Sequence, residues 1–463
     1  MSFNPESQNI SNESIWKMPL KPIGSMYFAV GLILILAVVL GWATFVDSQY
    51  GGEAAGFAIY KTWWFMALNG LLGLSVLASA LTRLPWKKRH LGFLVTHLGI
   101  LVLMLGCFIT FRYGEEGTLG LAEGENSAVA VKKSLHFRIE ILSNSGEIAQ
   151  SWEKPFVPGP FSWRHYSHQP DETQPSPPPT EAERLPVFPW SLPATSRKKP
   201  VVLAQENLTL EVLDYCTSAR LRPPKSAEEK PDVEGFVIEP LSLEELRDKK
   251  HGSSREEGLH FVKIRLTCDG NKFEGWLEAF VPDPMSKAPN AELHEIFTLP
   301  GKDRSVRVAF CADTIDLGFR LRLDRFNRRL DPGTSTPSHY SSDVTLLDVD
   351  DPTKVVQEDI RVLLNQPVDF ADTKTGRVYR VFQSSFRGPF SFADPIFRKL
   401  TGGNFPRDHI YISWFSVSYS PGRGLLYLGC LFITAGVGIM YSMKTYFFAR
   451  KSQSGNPNQN QSE

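Results

Sequence analysis

The chain has 463 residues, enough for two or three domains. Its 50 Lys and Arg residues balance 50 Asp and Glu, so net charge gives no attraction to nucleic acid and no such partner is expected. The composition is slightly polar on average, yet the apolar residues are bunched, which is the pattern of membrane spans beside a water-facing body.

Residues 1–23 read as a short cytoplasmic segment. The first apolar run follows from about Gly24 to Val46, "GSMYFAVGLILILAVVLGWATFV", and carries no charge. Its apolar core is longer than a signal-peptide h-region and no small-x-small site ends it, so it reads as a retained anchor. The second run is about Thr62 to Leu81 and the third about Leu91 to Phe111. Each has the length needed to cross a hydrocarbon core, roughly 20 residues. The link between the second and third, "TRLPWKKRH", holds Arg83, Lys87, Lys88 and Arg89, whereas the link between the first and second has a single Lys. That asymmetry places "TRLPWKKRH" and both termini in the cytoplasm, and the segment 112–423 outside, which in a Gram-negative cell is the periplasm.

After the third span, "RYGEEGTLGLAEGENSAV" suggests turns between short strands, and "HFRIEILSNSGEIAQSW" has the alternation of a hairpin. From about 155 to 200 the chain becomes Pro-rich and aperiodic and reads as a long surface excursion. His165 and His168 lie in it, and a solvated pair is the better reading than a metal site. Strand-like stretches then resume: "LTLEVLDYC", "HFVKIRLTCDGNKFEGWLEAFV", "SVRVAFCA", "GFRLRLDRF", "SSDVTLLDV", "RVLLNQPVDF", "RVYRVFQSSF" and "YISWFSVSYS". Only "SLEELRDKK" competes as an amphipathic helix. The outer body is therefore expected to be mostly antiparallel β, a sandwich or open barrel, with a split into two lobes around the Pro-rich excursion as an alternative. It contains no GxSxG, HExxH, P-loop or Rossmann fingerprint, so it reads as a docking and stability domain rather than an enzyme. Of five cysteines, Cys107 and Cys430 fall in spans and Cys216, Cys268 and Cys311 in the body; none forms a CxxC and at most one disulfide could join the outer three. The fourth apolar run, 424–443, and a tail over 444–463 complete a fold of four transmembrane α-helices, three N-terminal and one C-terminal, flanking a large antiparallel β domain.

The third run carries the chemistry. Residues seven apart share a helical stripe, so His90, His97 and Met104 lie on one side and Gly92, Gly99 and Gly106 nearly opposite. The glycines suit close helix approach in lipid. His97 lies about 9 Å inside the cytoplasmic end at ~1.5 Å per residue, and an ionisable group at such depth is a functional candidate. Its competing reading is a hydrogen bond to the second span, through Asn69 or Ser75. Met104 reads as lipid-facing filler rather than a ligand. A neutral imidazole is a ready axial ligand for haem iron, and haem propionates would favour the basic rim at Arg83, Lys87, Lys88 and Arg89. Only His97 lies clearly inside the membrane, so a second ligand would come from another chain or from another copy of this one, and a cytochrome b-type redox enzyme is disfavoured.

Several stretches together resemble the ResB family of system II cytochrome c maturation. They are "TFVDSQYG", "YKTWWFMALNGLLGLSVLASALTRLPWKKRHLGFLVTHLGILVLMLG", "GEEGTLGLAEGE", "LRLDRFNRRLDPGTSTPSHYSSDVTLLD", "VLLNQPVDF", "YRVFQSSF" and "SVSYSPGRGLLYLGCLFITAGVGIMY". They cover both ends, about half the chain, and the middle from about 144 to 307 carries no likeness. The resemblance implies a multi-pass protein of the cytoplasmic (inner) membrane that works with CcsA, also called ResC, to bind haem b transiently, export it and deliver it to apocytochrome c. It implies that His97 is one axial ligand of that haem and the partner supplies the other. No role for His90 transfers; His90, Arg89 and Lys88 remain candidates for propionate contacts. No WxWD-like motif is present, so the resemblance is to the B subunit alone, a non-catalytic or accessory subunit. The alternative is a membrane-anchored β protein with a structural or sensing role and no haem.

Overall fold

A computed structural model describes residues 20–143, 147–163, 184–187, 190–193, 201–203, 208–226, 229–233, 235–241, 245, 259–268, 271–279, 294–298, 304–333, 337–391, 393 and 407–453. The chain divides into a helical unit, 1–48, 58–114 and 420–463, and a β unit, 49–57 and 115–419.

The helical unit holds α1 (Met26–Tyr50), α2 (Trp63–Leu81), α3 (Leu91–Tyr113) and α4 (Arg423–Gln453). A one-turn helix, Leu20–Ile23, precedes α1, and a 3-10 turn, Lys88–His90, leads into α3. All four long helices are long and apolar enough to cross a membrane. On α1 Met26, Tyr27, Val30, Ile33 and Leu34 are exposed, whereas Leu32, Leu36, Ala43 and Val46 are buried, so one side of the helix is covered and the other is apolar and open.

α3 and α4 run antiparallel with their backbones in close approach. Gly92, Gly99 and Gly106 are the buried residues of α3. A Cβ on Gly92 would lie 2.7 Å from Met440 N, one on Gly99 2.7 Å from Ile433 N, and one on Gly106 2.9 Å from Gly422 O. α4 and the residue just before it answer with glycines at the same interval of seven. A Cβ on Gly429 would lie 2.7 Å from Leu103 N, while Gly422 meets Gly106 and Thr110, and Gly436 meets Thr96. The Gly422 N–H also donates to Thr110 Oγ1 at 3.1 Å. At the start of the unit, Ser75 Oγ of α2 donates to Ile23 O at 2.8 Å, beside the close crossing of Gly24 on Ala78.

The β unit has seventeen strands among the described residues, and every ladder is antiparallel. In chain order they are β1 (Glu115–Ala122), β2 (Asn126–Ser143), β3 (Ile148–Phe156), β4 (Arg184–Val187), β5 (Trp190–Pro193), β6 (Val201–Leu203), β7 (Leu208–Arg222), β8 (Val237–Pro240) and β9 (Leu259–Cys268). There follow β10 (Asn271–Glu278), β11 (His294–Thr298), β12 (Arg304–Leu330), β13 (Pro337–Leu347), β14 (Val355–Leu363), β15 (Val368–Ala371), β16 (Val378–Ser391) and β17 (His409–Tyr419). The main sheet runs β14-β13-β12-β2-β1-β17-β16-β15, with β3 also on β2 and β11 on β12; a second runs β10-β9-β7-β6 with β8 on β7. β1 and β17, the first and last strands, pair from Glu115↔Tyr419 to Ala122↔Ile412.

Two cores result. Leu135, Phe137, Ile139 and Ile141 of β2 and Val306, Val308 and Phe310 of β12 pack against Leu208, Leu210, Val262, Ile264 and Leu266 of the second sheet, which makes a sandwich. The far halves of the same two strands belong to the other core, with Leu119, Leu121, Leu321, Leu323, Val344, Val381, Phe415 and Val417. There the main sheet curls on itself. Ser342 of β13 bonds Ser413 of β17 at 2.8 Å, and Tyr340 Oη donates to Ser384 O of β16 at 3.3 Å, although these strands are far apart in the sheet order. Sandwich and open barrel thus coexist as two lobes sharing β2 and β12. The expected separate strands "SVRVAFCA" and "GFRLRLDRF" are one strand of 27 residues, and the strand after the first Gly-rich turn is 18 residues, not short. Register shifts at Ala312/Thr314 and Asp316/Leu321 bend β12 and break its alternation, so it looks like two strands in sequence. The hairpin expected at 136–152 is β2–β3. Most of the Pro-rich excursion, with His165 and His168, and nearly all of the expected helix at 242–250 lie outside the described residues, as does the side chain of Cys268; Cys216 and Cys311 are buried thiols.

Candidate functional site

His97 stands two turns into α3, half-buried, off the glycine face that α4 covers. Its Nδ1 lies 2.9 Å from the carbonyl oxygen of Phe93, one turn back. A carbonyl only accepts, so Nδ1 carries the hydrogen and Nε2 of the neutral ring holds the lone pair. Among the described residues nothing hydrogen-bonds Nε2. The bond fixes the tautomer in the manner of a metal-ligating histidine, whose other nitrogen is held by a backbone carbonyl. The imidazole also packs on the Phe93 ring, centroids 3.7 Å apart and planes 39° apart, and Arg83 Cζ sits 3.7 Å over the same ring. Phe93 therefore ties the basic loop to the histidine, a link that sequence spacing did not reveal although Phe93 is one helical turn before His97.

The competing hydrogen bonds to α2 do not form. Asn69 Nδ2 donates to Phe65 O of its own helix at 2.8 Å, and Ser75 is spent on Ile23. Met104 is not lipid-facing filler: its Cε would lie 3.2 Å from a Cβ placed on Gly73 of α2. The outward stripe of α3 is instead Leu91, Leu98 and Leu105, each about half exposed.

The other candidates sit at the rim. Lys88, Arg89 and His90 form the 3-10 turn before α3. His90 has Lys87 N at 3.4 Å from Nδ1 and Arg89 Nε at 3.3 Å from Nε2, and since a neutral ring accepts at one nitrogen only, the local turn takes up its single lone pair whichever tautomer it adopts. Lys87, Lys88 and Arg89 are exposed, and among the described residues no carboxylate pairs with them. Seven residues separate His90 from His97, about 10 Å of helix rise, so the two rings cannot hold one metal ion together. No cluster of three or more His, Cys, Asp or Glu is arranged to hold a metal ion among the described residues. His97 can thus supply a single ligand.

Among the described residues of the β unit, several buried polar groups are taken up by hydrogen bonds. Glu123 accepts from Phe326 N at 2.9 Å, Tyr411 N at 3.1 Å and Arg407 Nη1 at 2.8 Å, which clamps the β1–β2 turn to β12 and β17. Asp372 accepts from Lys374 N, Thr375 N and Thr375 Oγ1; burial alone would raise its carboxyl, but these bonds hold it below the usual aspartate range. His260, half-buried with Nδ1 3.0 Å from Thr217 Oγ1, is pushed down from the ordinary imidazole value by desolvation. Ser134, His136 and Asp313 meet at the β12 bulge, yet they are not a nucleophilic triad. Both Ser134 and His136 Nδ1 bond the Asp313 carboxylate, so the imidazole does not stand beside the serine hydroxyl as a triad requires, and among the described residues His136 Nε2 is buried without a partner.

No protein-family model matches the chain. The chain is similar to Protein NrfI of Wolinella succinogenes, with 22% identity over 362 residues that cover 77% of this chain and 30% of that protein. The chain therefore spans less than a third of the length of this curated relative.

Proposed function

We propose that the chain is a membrane subunit of a cytochrome c maturation complex and that it binds haem as cargo through His97. The observation that carries this is the 2.9 Å contact between His97 Nδ1 and the Phe93 carbonyl, which assigns the hydrogen to Nδ1 and leaves the lone pair of a neutral ring on Nε2. The likeness to Protein NrfI supports the coarser part, a place in cytochrome c maturation. The finer part rests on the residues that resemble ResB and on this site.

In this reading α1–α4 span the cytoplasmic membrane, the "TRLPWKKRH" loop is cytoplasmic and the β unit lies outside. Phe93 and Arg83 hold the imidazole plane, and α4 holds α3 through the glycine face. The residues present fit haem on one side: His97 offers one axial nitrogen, and Lys87, Lys88 and Arg89 offer unpaired cations for the propionates. The second axial ligand would come from a membrane partner of the CcsA kind, and the cargo would pass to apocytochrome c.

Absorption spectra of the full chain, purified with and without the co-expressed partner and then reduced, test the proposal. The α and Soret bands of six-coordinate haem are expected in the complex and lost in His97→Ala. Haem absent from both preparations would favour an anchored β protein without haem, and haem indifferent to His97→Ala would remove the ligand assignment.

A further inference from the structure

The basic loop between α2 and α3 does not hold its cations alike. Arg83, Lys87, Lys88 and Arg89 are all exposed. Among the described residues only Arg83 of these four is seated on an aromatic ring, with Cζ 3.7 Å from the Phe93 centroid. The backbone around it is pinned to the end of α2. Leu84 N–H donates to Leu81 O at 3.1 Å, and Trp86 Nε1 donates to Ala80 O at 3.0 Å. Arg83 therefore leaves a fixed stretch of chain and lies on a fixed ring.

The Phe93 ring is also 3.7 Å from the imidazole of His97, centroid to centroid. Whichever faces of Phe93 the two neighbours use, the guanidinium is no further than twice 3.7 Å from the imidazole. Among the described residues no carboxylate pairs with Arg83. A guanidinium keeps its charge at any accessible pH. A permanent positive charge thus stands beside the histidine whose Nε2 holds the lone pair.

We propose that Arg83 makes the His97 site selective for ferrous over ferric haem, an inference that rests on the haem reading above. With the same ligands, ferric iron carries one more positive charge than ferrous iron. A fixed cation nearby therefore disfavours the ferric form more. One electron separates the two forms, and no bond to His97 is made or broken. A unit charge about 10 Å from the iron, at an effective dielectric constant of about 20–40, changes the ferrous-to-ferric ratio about four- to seventeenfold. In a one-electron couple that is a rise of about 35–70 mV in midpoint potential, at 59 mV for each factor of ten. Phe93 is the positioning residue, because its ring sets where the charge sits.

The test is a redox titration of the full chain with its co-expressed membrane partner, with dithionite as reductant and ferricyanide as oxidant, followed at the α band. Arg83→Gln should keep the low-spin bands and lower the midpoint by about 35–70 mV. Arg83→Lys, which keeps the charge, should recover most of that loss. Phe93→Leu keeps the backbone carbonyl under Nδ1 but removes the seat of the guanidinium, so it should lower the midpoint too. Arg83→Gln added to Phe93→Leu should lower it little further. Lys61→Gln, at the far end of α2 and about 28 Å away by helix rise, should leave it unchanged. Low-spin bands with an unchanged midpoint in Arg83→Gln, or an equal fall in Arg83→Lys, would overturn the proposal. If Arg83→Gln does not assemble, Phe93→Leu decides on the same terms. Haem absent from the unaltered complex, or bands that survive His97→Ala, would instead remove the haem reading beneath it.

Discussion

Replacing Gly99 by Ala asks how much the α3–α4 contact contributes. The new Cβ would stand 2.7 Å from Ile433 N and 2.9 Å from Gly429 O, where ordinary contact begins at 3.4 Å. Both neighbours are backbone atoms of a helix and cannot rotate aside, so α4 must retreat by about 0.7 Å locally. A gap of that size forfeits roughly a quarter to a half of the dispersion well of each lining atom, and overpacking a tight site costs about 1–3 kcal/mol. Lipid offers no hydrophobic force to restore the pair. Gly41 and Gly70 are the internal controls, because a Cβ on either meets nothing within 4 Å, and Ala there should be neutral or stabilise by up to about 1 kcal/mol through helix propensity. Thermal unfolding of the full chain in mild detergent, followed by tryptophan fluorescence, reads the difference. Gly99→Ala and Gly429→Ala should each lower the melting temperature, at about 2–4 °C per kcal/mol, and the double variant should lose less than the sum because the first substitution already parts the helices. If Gly99→Ala melts with the two controls, or if the double variant is additive, the helix contact does not have the tightness described.

Three further outcomes follow from the β unit. Gly318→Ala should destabilise it by about 3 kcal/mol or more, because Gly318 has φ +67° and its Cβ would overlap the Asp372 carboxylate; denaturant unfolding of the chain measures this. Glu123→Ala should cost about 3–5 kcal/mol, since it strands Arg407 and two buried backbone N–H groups, and hydrogen exchange at Phe326 and Tyr411 should rise with it. The Asp372 carboxyl is held low when folded, so its contribution is complete above the unfolded value of 3.8 and is lost as pH falls through the folded value. Glu229, bonded to Arg222, is lowered to about 2 from 4.5 and adds a loss between those values. Acid titration by circular dichroism should show Asp372→Asn removing part of the pH dependence below 4.

The helices were legible because twenty apolar residues have few other uses, and the structure starts and ends the first three within a few residues of the sequence expectation. The glycine face of α3 was legible from its interval of seven. Its counterpart, Gly422, Gly429 and Gly436, follows the same interval and went unread, because only pairing shows that the two stripes face each other. The β unit was legible as alternation but not as topology. Bulges in β12 shift the inward face midway, and nothing local says that β1 pairs with β17 across nearly three hundred residues. At the site, the position of His97 was readable; its tautomer and the Arg83–Phe93 support were not, since they depend on rotamers set by packing.

The central claim is that Nε2 of His97 binds haem iron. The most direct measurement is the reduced spectrum of the full chain with its membrane partner, carrying His97→Gly, titrated with imidazole. The account predicts loss of the six-coordinate low-spin bands in the variant and their return as imidazole fills the space of the missing ring. Bands that persist without His97, or that imidazole does not restore while the complex stays assembled, would contradict it.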